Sequence, residues 1–214
     1  MIYNELLKRI ISSLIIIPIA LFFIIKGSFL FIFFILICFL ITSYEWHKMS
    51  NKKPYYLPGF LFLMLSFYSA YIIRANDSNS LKFFLYILIV CVSTDIGGYI
   101  FGKIFKGPKL IKISPKKTYS GVIGGYLMSI ILYYLFINLN YGDEINSKDF
   151  IFILLISTIS QLGDITISYF KRLSKIKDTG KILPGHGGLL DRIDGMIFAF
   201  PAAYIIFKII NINF

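Results

Sequence analysis

Long apolar runs separated by short polar segments follow one another along the chain. Seven of these runs are long enough, alone or with a few flanking residues, to cross a bilayer as helices. The backbone finds no water partner inside lipid, so such runs are predicted to be helical. The predicted spans cover residues 10–25, 29–44, 60–73, 81–105, 122–139, 150–170 and 191–210. Residues 1–9 are amphipathic and are predicted to lie in the membrane interface.

The pattern therefore predicts an all-α fold, a polytopic membrane helical bundle of about seven transmembrane helices plus an N-terminal interfacial helix. Hydrophobic residues make up 57% of the 214 residues and charged residues only 15%, which excludes an ordinary soluble domain. No linker or low-complexity tract divides the sequence. We expect a single integral membrane domain over 1–214, with scaffold spans in 1–90 and chemically active spans and loops in 91–214.

The formal net charge of +11 is unevenly distributed between the two sides of this predicted bundle. Most of the 22 Lys and Arg residues fall in the loops on the side of Lys8 and Arg9, which the positive-inside bias places in the cytoplasm. Basic residues confined to short loops between spans suit lipid headgroups and nucleotide phosphates. Membrane lipids are therefore the expected partners of this surface, and nucleic acid is not.

The most polar long run, residues 168–194, is called the signature stretch below. Its clustered lysines and arginines suit phosphate binding, and its Pro-Gly-His-Gly-Gly segment allows a backbone to approach a ligand closely. Asp191 and Asp194 are three residues apart and share a helix face. Upstream, Asp164, Ser168 and Arg172 share another face. Hard oxygen ligands beside phosphate-binding cations predict a Mg²⁺ and phosphate site at a membrane boundary.

The signature stretch resembles the signature of phosphatidate cytidylyltransferases (CDP-diglyceride synthases). The agreement involves too many fixed positions to arise by chance. The matching positions are Ser168, Lys171, Arg172, Lys177, Asp178, Gly180, Leu183, Pro184, His186, Gly187, Gly188, Asp191, Arg192 and Asp194. A basic loop that serves only topology would explain the lysines but not the His-Gly-Gly segment or the aspartates.

A second segment supports the same resemblance. Residues 114–118, Ser-Pro-Lys-Lys-Thr, are similar to a lysine-rich motif of that family, and Gln161, Gly163 and Asp164 are similar to the run that precedes its signature. Tyr119 stands where the family usually has tryptophan, and Ser120 stands where it usually has glutamate. Any role of that glutamate is therefore absent here or carried by another residue.

The resemblance implies transfer of a cytidylyl group from CTP to phosphatidic acid at the cytoplasmic face of a bacterial-type inner membrane. It implies Mg²⁺ held by Asp164 and Asp191 from two helices, with Asp194 as a further or indirect ligand. A second metal or a monovalent cation stays open, as does a homodimer. Lys171, Arg172 and Arg192 are expected to meet phosphates, which completes the predicted catalytic set of Asp164, Lys171, Arg172, Asp191, Arg192 and Asp194.

The remaining candidates are expected to bind substrate. Lys116 and Lys117 are expected to contact either the triphosphate or the lipid phosphate, and Ser168 to donate a hydrogen bond. His186 either donates to a phosphate or fixes its loop, and Asp95, inside a predicted span, is a weaker candidate for metal or ribose. The predicted substrate-binding set is Ser114, Lys116, Lys117, Thr118, Ser168, His186, Gly187, Gly188 and Asp95.

Two other functions are compatible with parts of this pattern. A CTP-dependent lipid kinase would use similar phosphate-binding cations but would transfer the γ-phosphoryl group. An ion-coupled transporter would use Asp95 and Asp164 along an ion path, but that function gives no reason for the lysine-rich motif or for the signature stretch.

Overall fold

The computed structural model describes residues 2–75, 80–111, 114, 117–141, 146–183, 185 and 187–210, without the side chains of residues 2–10 and 209–210. Within these residues the regular structure is helical. Two isolated β-bridges, Lys109 with Thr118 and Leu183 with Gly187, join loop segments. The helices are α1 (Ile2–Lys26), α2 (Ser28–Ser50), α3 (Tyr56–Ala75), α4 (Ser80–Phe105), α5 (Tyr119–Tyr141), α6 (Ser147–Leu173), α7 (Leu190–Ile193) and α8 (Met196–Ile210).

The predicted class of an all-α membrane protein is confirmed. Among the described residues, five helices, α2 to α6, are each long enough and apolar enough to cross a membrane. The shorter apolar helices Ile11–Lys26 and Met196–Lys208 bring the total close to the predicted seven. Large apolar side chains such as Leu14, Phe29 and Leu139 are exposed, which is costly in water and ordinary in lipid.

Three predicted boundaries were wrong. Residues 2–9 form no separate interfacial helix, because they continue into α1 without a break. The second span does not end at residue 44: α2 runs on to Ser50, and Glu45 lies inside it. The last span does not begin at residue 191, because Asp194 and Gly195 separate the short α7 from α8. Gly195 lies so close to Ser160 that a Cβ would strike the Ser160 hydroxyl.

The chain divides into two compact units. Unit 1 comprises Met1–Leu81 with Phe170–Asp194, and unit 2 comprises Lys82–Tyr169 with Gly195–Phe214. The signature stretch from Phe170 onward therefore belongs with the N-terminal helices, far from it in sequence. The single integral membrane domain predicted from the sequence stays a prediction.

In unit 1, side-chain contacts stabilise the helix ends at two places. At the end of α1, the Arg74 guanidinium donates hydrogen bonds to the carbonyl oxygens of Ile24 (2.9 Å) and Ile25 (3.2 Å), so it satisfies groups that the helix leaves unpaired. At the other end, the Phe170 ring of α6 packs against the rings of Trp46 (5.4 Å between centroids) and Tyr55 (4.8 Å). The ends of α2 and α6 are therefore held together by aromatic contacts.

Unit 2 depends on close approach of α4 and α5. A Cβ on Gly97 would strike the carbonyl oxygen of Gly124, and a Cβ on Gly121 would lie 2.8 Å from the carbonyl oxygen of Gly98. The hydroxyl of Thr94 donates to that of Ser157 at 2.8 Å, which adds a bond between α4 and α6. Small residues let membrane helices touch along their backbones, and polar side chains then join them.

This packing predicts different outcomes for two neighbouring glycines. Gly97→Ala should destabilise the protein by about 1–3 kcal/mol, because its methyl group has no room against Gly124 and Met128. Gly98→Ala is the matched control, since its Cβ would lie 3.8 Å from the nearest atom, the carbonyl oxygen of Gly121. Thermal unfolding of both variants in detergent measures the difference. Equal melting temperatures for the two variants would contradict this packing.

Candidate active site

Asp164 lies in unit 2 at the centre of a small polar cluster on α6. Its Oδ2 atom is 2.6 Å from the Nζ of Lys117, and its Oδ1 atom accepts a hydrogen bond from the hydroxyl of Ser168 at 3.3 Å. Asp164 and Ser168 meet because they are four residues apart on one helix. The side chains of Lys117 and Asp164 are 23% and 33% exposed, so a ligand can reach both charges.

The lysine-rich segment is shaped by hydrogen bonds of its own backbone and hydroxyl groups. Leu110 N donates to Lys117 O at 2.8 Å, and Lys117 N donates to Ser114 O at 3.0 Å, so the chain turns tightly before α5. Thr118 is the N-cap of α5, because its hydroxyl accepts from Gly121 N at 3.1 Å. The structure thus gives Thr118 a capping role and places Lys117 beside the Asp164 carboxylate.

Ser120, at the position where the resemblance expects glutamate, belongs to the same turn. Its hydroxyl donates to the Lys106 carbonyl oxygen at 2.6 Å and lies 2.9 Å from the Thr118 hydroxyl. Ser120 therefore links Lys106, directly after α4, to the start of α5. Lys116, also predicted to bind substrate, lies outside the described residues.

Asp191 lies in unit 1, at the first turn of α7, and organises the signature loop (residues 174–189). Its Oδ1 atom accepts from the Nζ of Lys171 at 2.8 Å. Its Oδ2 atom accepts from Thr179 N (2.8 Å), the Thr179 hydroxyl (3.0 Å) and Gly188 N (3.0 Å). The side chains of Lys171 and Asp191 are only 11% and 6% exposed. One carboxylate thus ties the end of α6, the middle of the loop and the start of α7 together.

These contacts decide the charge of Asp191. Burial acts to raise the pKa of this carboxyl group, but the hydrogen bonds from Lys171, Gly188 and Thr179 favour the ionised form. Together with the positive charge of Lys171 they outweigh burial, and the pKa lies below its ordinary value of 3.8. Asp191 is therefore ionised at neutral pH, as a ligand or ion-pair partner must be.

The other residues predicted from the signature stretch lie at several places in unit 1. Arg172 is exposed and donates to the Ile176 carbonyl oxygen at 3.1 Å, which closes the end of α6. Arg192 is exposed, whereas Asp194 is 8% exposed. Gly187 has a positive φ of 89°, which glycine adopts readily. The N–H of Gly188 already donates to Asp191, so its predicted contact with an oxyanion stays a prediction, and His186 lies outside the described residues.

Asp95 and Ser114 complete the predicted set in unit 2. Asp95 is exposed on α4, one residue after the buried Thr94. Ser114 contributes its carbonyl oxygen to the turn that ends at Lys117. The roles predicted for both in substrate binding stay predictions.

One buried acid was missed by the sequence reasoning. Glu45 is 1% exposed and accepts hydrogen bonds from Leu189 N, Leu190 N and the Thr179 hydroxyl. The predicted span ends at residue 44, so residue 45 was expected in the polar loop between two spans. A usable signal was present, since a carboxylate at the end of an apolar span needs donors from elsewhere in the protein.

The carboxylates offer the hard oxygen atoms that Mg²⁺ prefers. Asp164 fits best, because it is partly exposed and its cationic partner Lys117 can exchange with another cation. Asp191 offers less, since its Oδ2 atom already accepts three hydrogen bonds. In the described part of the chain, no group of three or more His, Cys, Asp or Glu residues forms a ready metal site. Asp164 and Asp191 fall in different units, so the ion that they were predicted to share stays a prediction.

Long apolar helices with many large apolar side chains exposed define a helical membrane protein. The chain matches the sequence profile of the Cytidylyltransferase family over residues 7–75 and 55–210. It therefore belongs to that family. The resemblance found in the sequence is confirmed.

Individual relatives agree with this assignment. The phosphatidate cytidylyltransferase of Rickettsia typhi is 36% identical over 206 residues, which cover 92% of this chain and 89% of the relative. The phosphatidate cytidylyltransferase of Staphylococcus haemolyticus is 42% identical over 143 residues, which cover 62% of this chain and 51% of the relative. That of Haemophilus influenzae is 36% identical over 151 residues, covering 68% and 51% respectively.

The hydrogen bonds of Asp191 predict a pH-dependent contribution to stability. Its pKa is lowered on folding, so the ionised carboxylate stabilises the protein above pH 3.8, and this stabilisation is lost as the pH falls through the folded-state pKa. Asp191→Asn should therefore be less stable than the unmodified protein at neutral pH, with the difference shrinking below about pH 4. Denaturant unfolding in detergent across pH 3–7 measures it. Asp178→Asn, in the exposed part of the same loop, is the control, and a gap that persists unchanged at pH 3 contradicts the prediction.

Proposed function

We infer that this protein transfers the cytidylyl group of CTP to phosphatidic acid, forming CDP-diacylglycerol and pyrophosphate for phospholipid biosynthesis. The observation that carries the inference is the agreement of nearly the whole chain with relatives that bear the name of this enzyme. The structure adds support: the Lys117–Asp164 pair joins the lysine-rich motif to the run that precedes the signature, and the Lys171–Asp191 pair lies within the signature stretch.

The reaction needs little acid–base chemistry from the protein. An oxygen atom of the lipid phosphate attacks the α-phosphorus of CTP, a new P–O bond forms, and the bond to the β-phosphate oxygen breaks to release pyrophosphate. The nucleophile is already an anion, so no proton has to be removed. The main barrier is the approach of two polyanions, and fixed cations that neutralise and align the phosphates lower it.

In unit 2, Lys117 and Asp164 are suited to the triphosphate or the lipid phosphate. The partly exposed ammonium group of Lys117 can bind a phosphate oxygen, and the hydroxyl of Ser168 would donate to a phosphate in place of its present acceptor, Asp164. We propose that Asp164 is a ligand of Mg²⁺ and that activity depends on this ion. Bound Mg²⁺ would neutralise charge on the phosphates and on the leaving pyrophosphate. A second metal or a monovalent cation is part of this proposal as an open alternative.

In unit 1, the buried pair of Lys171 and Asp191 holds the signature loop in one conformation, and the exposed Arg172 and Arg192 offer guanidinium groups to phosphates. Asp191 and Asp194 remain proposed ligands of Mg²⁺. Asp191 would serve through its Oδ1 atom, which has a single donor, Lys171. The ammonium of Lys171 would then be free to contact a phosphate.

We propose that the protein lies in a bacterial inner membrane with this chemistry on the cytoplasmic side. The support is the concentration of lysine and arginine in the loops that carry both motifs. The cytoplasm also supplies CTP. A homodimer remains compatible with this proposal.

Labelled CTP distinguishes this reaction from lipid phosphorylation. Purified protein in detergent with phosphatidic acid should transfer the α-³²P label of CTP to lipid and release the γ-label as pyrophosphate. The γ-label on the lipid would instead identify a CTP-dependent lipid kinase. A folded preparation that transfers neither label, with or without Mg²⁺, would overturn the proposed function.

Asp164→Asn tests the metal proposal. The variant should lower kcat by at least roughly a hundredfold and raise the Mg²⁺ concentration needed for half-maximal rate, because one anionic ligand is lost. Asp149→Asn is the control on the same helix. Asn146 is the N-cap of α6, and Asp149 completes the capping box by accepting from Asn146 N at 3.0 Å. Asparagine at position 149 retains an acceptor oxygen, so activity should persist. Unchanged kcat and Mg²⁺ dependence in Asp164→Asn would remove this residue from the metal site.

A further inference from the structure

We infer that Glu45 is a positioning residue for this reaction: it fixes the signature loop from α2 and so sets the place of Asp191 and Lys171. The inference rests on the proposed function. Glu45 lies at least 134 positions away in sequence from each of the three groups that it binds, so the link between α2 and the loop is a tertiary one.

Both oxygen atoms of Glu45 are used. The Oε1 atom accepts from Leu189 N at 2.9 Å, and the Oε2 atom accepts from Leu190 N at 2.8 Å and from the Thr179 hydroxyl at 3.0 Å. A carboxylate that is 1% exposed is costly unless such donors surround it. The same contacts make the carboxylate hard to replace, because the N–H groups of Leu189 and Leu190 would lose this acceptor.

Glu45 supplies a cap that α7 lacks in its own sequence. Leu189, the N-cap residue of α7, has no side-chain acceptor and makes no capping hydrogen bond. The first N–H groups of a helix have no partner within the helix. Glu45 accepts from two of these consecutive groups, so a side chain of α2 defines where α7 begins.

The start of α7 is also where Asp191 lies. The N–H of Gly188 donates to Asp191, while those of Leu189 and Leu190 donate to Glu45. The hydroxyl of Thr179 lies 3.0 Å from both carboxylates and can donate its one proton to only one of them at a time. The two acids therefore hold one stretch of backbone between them, and a shift of either changes the position of the other.

Two glycines of the loop leave the space that Glu45 occupies. A Cβ on Gly180 would lie 2.7 Å from the Oε1 atom of Glu45, and a Cβ on Gly188 would collide with the hydroxyl of Thr179. On the helix side, Trp46 next to Glu45 packs against Phe170, and its Nε1 donates to the Tyr56 carbonyl oxygen at 3.0 Å. Glu45 is thus rigidly placed, which is what a positioning residue requires.

Glu45→Gln tests the inference, with Lys48→Gln on the exposed side of the same helix as the matched control. Glutamine has one acceptor oxygen instead of two, and its NH₂ group would face the N–H of either Leu189 or Leu190, which are themselves donors. We expect kcat for CDP-diacylglycerol formation to fall roughly tenfold or more, because small misplacements of catalytic groups are costly. The KM for CTP should change less than kcat, and the melting temperature should fall too little to account for the lost rate.

Two further measurements separate positioning from a general loss of structure. Glu45→Asp retains both acceptor oxygens and should recover part of kcat. Thr179→Val, compared with Thr179→Ser, should lower kcat, and its effect should not add to that of Glu45→Gln, because the two side chains share one contact. If Glu45→Gln does not fold, Glu45→Asp decides the matter: its shorter side chain should lower kcat and speed tryptic cleavage of the loop, and unchanged values of both overturn the inference.

The outcomes are distinct. Unchanged kcat in folded Glu45→Gln overturns the inference, as does a loss of rate matched by the unfolded fraction. Limited trypsin digestion gives a readout that does not need activity: cleavage after Lys175, Lys177 or Lys181 should be faster in Glu45→Gln than in Lys48→Gln. If the unmodified protein transfers no label from CTP, the proposed function fails, and equal cleavage in the two variants would show separately that Glu45 does not hold the loop.

Discussion

Buried carboxylates that must find hydrogen-bond donors determine the structure of the signature loop. In a low-dielectric interior an unpaired carboxylate is so unfavourable that backbone and side chains arrange themselves around it. Asp191 collects Lys171, Thr179 and Gly188, and Glu45 collects the next two backbone N–H groups. A segment rich in glycine and lysine, with little apolar surface of its own, acquires a defined conformation in this way.

The glycines of the signature loop do more than make the backbone flexible. Gly187 has a φ of 89°, which side-chain-bearing residues rarely adopt. Gly188 is limited by space, because a Cβ there would collide with Thr179. In unit 2 the glycines of α4 and α5 serve close helix packing. Glycine therefore has three separate physical uses in this chain.

Much of the fold follows from the sequence, because the apolar runs are long and the bilayer leaves the backbone no choice but helix. The predicted boundaries are wrong where a helix continues through polar or charged residues. Residue 45 ends the apolar run, yet α2 continues to Ser50, since Glu45 finds its donors in a loop 134 or more positions away. No local pattern contains that information. The break between α7 and α8 at Gly195 likewise depends on a contact with Ser160 on another helix.

The candidate site could be predicted as a set of residues but not as a set of pairings. Spacing placed Asp164 and Ser168 together, and the structure does so. Spacing could not show that Lys117 would meet Asp164, or that Lys171 would meet Asp191, because these partners come from different segments of the chain. Nor could it distinguish a carboxylate that holds a loop from one that is open to ligands.

The two ion pairs differ in a way that suggests a division of roles. Lys117 and Asp164 are partly exposed, so water and counter-ions can replace either partner at little cost. Lys171 and Asp191 are largely buried, and separating them would leave a charge uncompensated unless a ligand replaced the lost partner. The partly exposed pair can therefore exchange its partners at little cost, which the proposed binding of phosphate and Mg²⁺ requires. Separating the buried pair costs free energy that a ligand would have to offset, so this pair is suited to holding the signature loop in place.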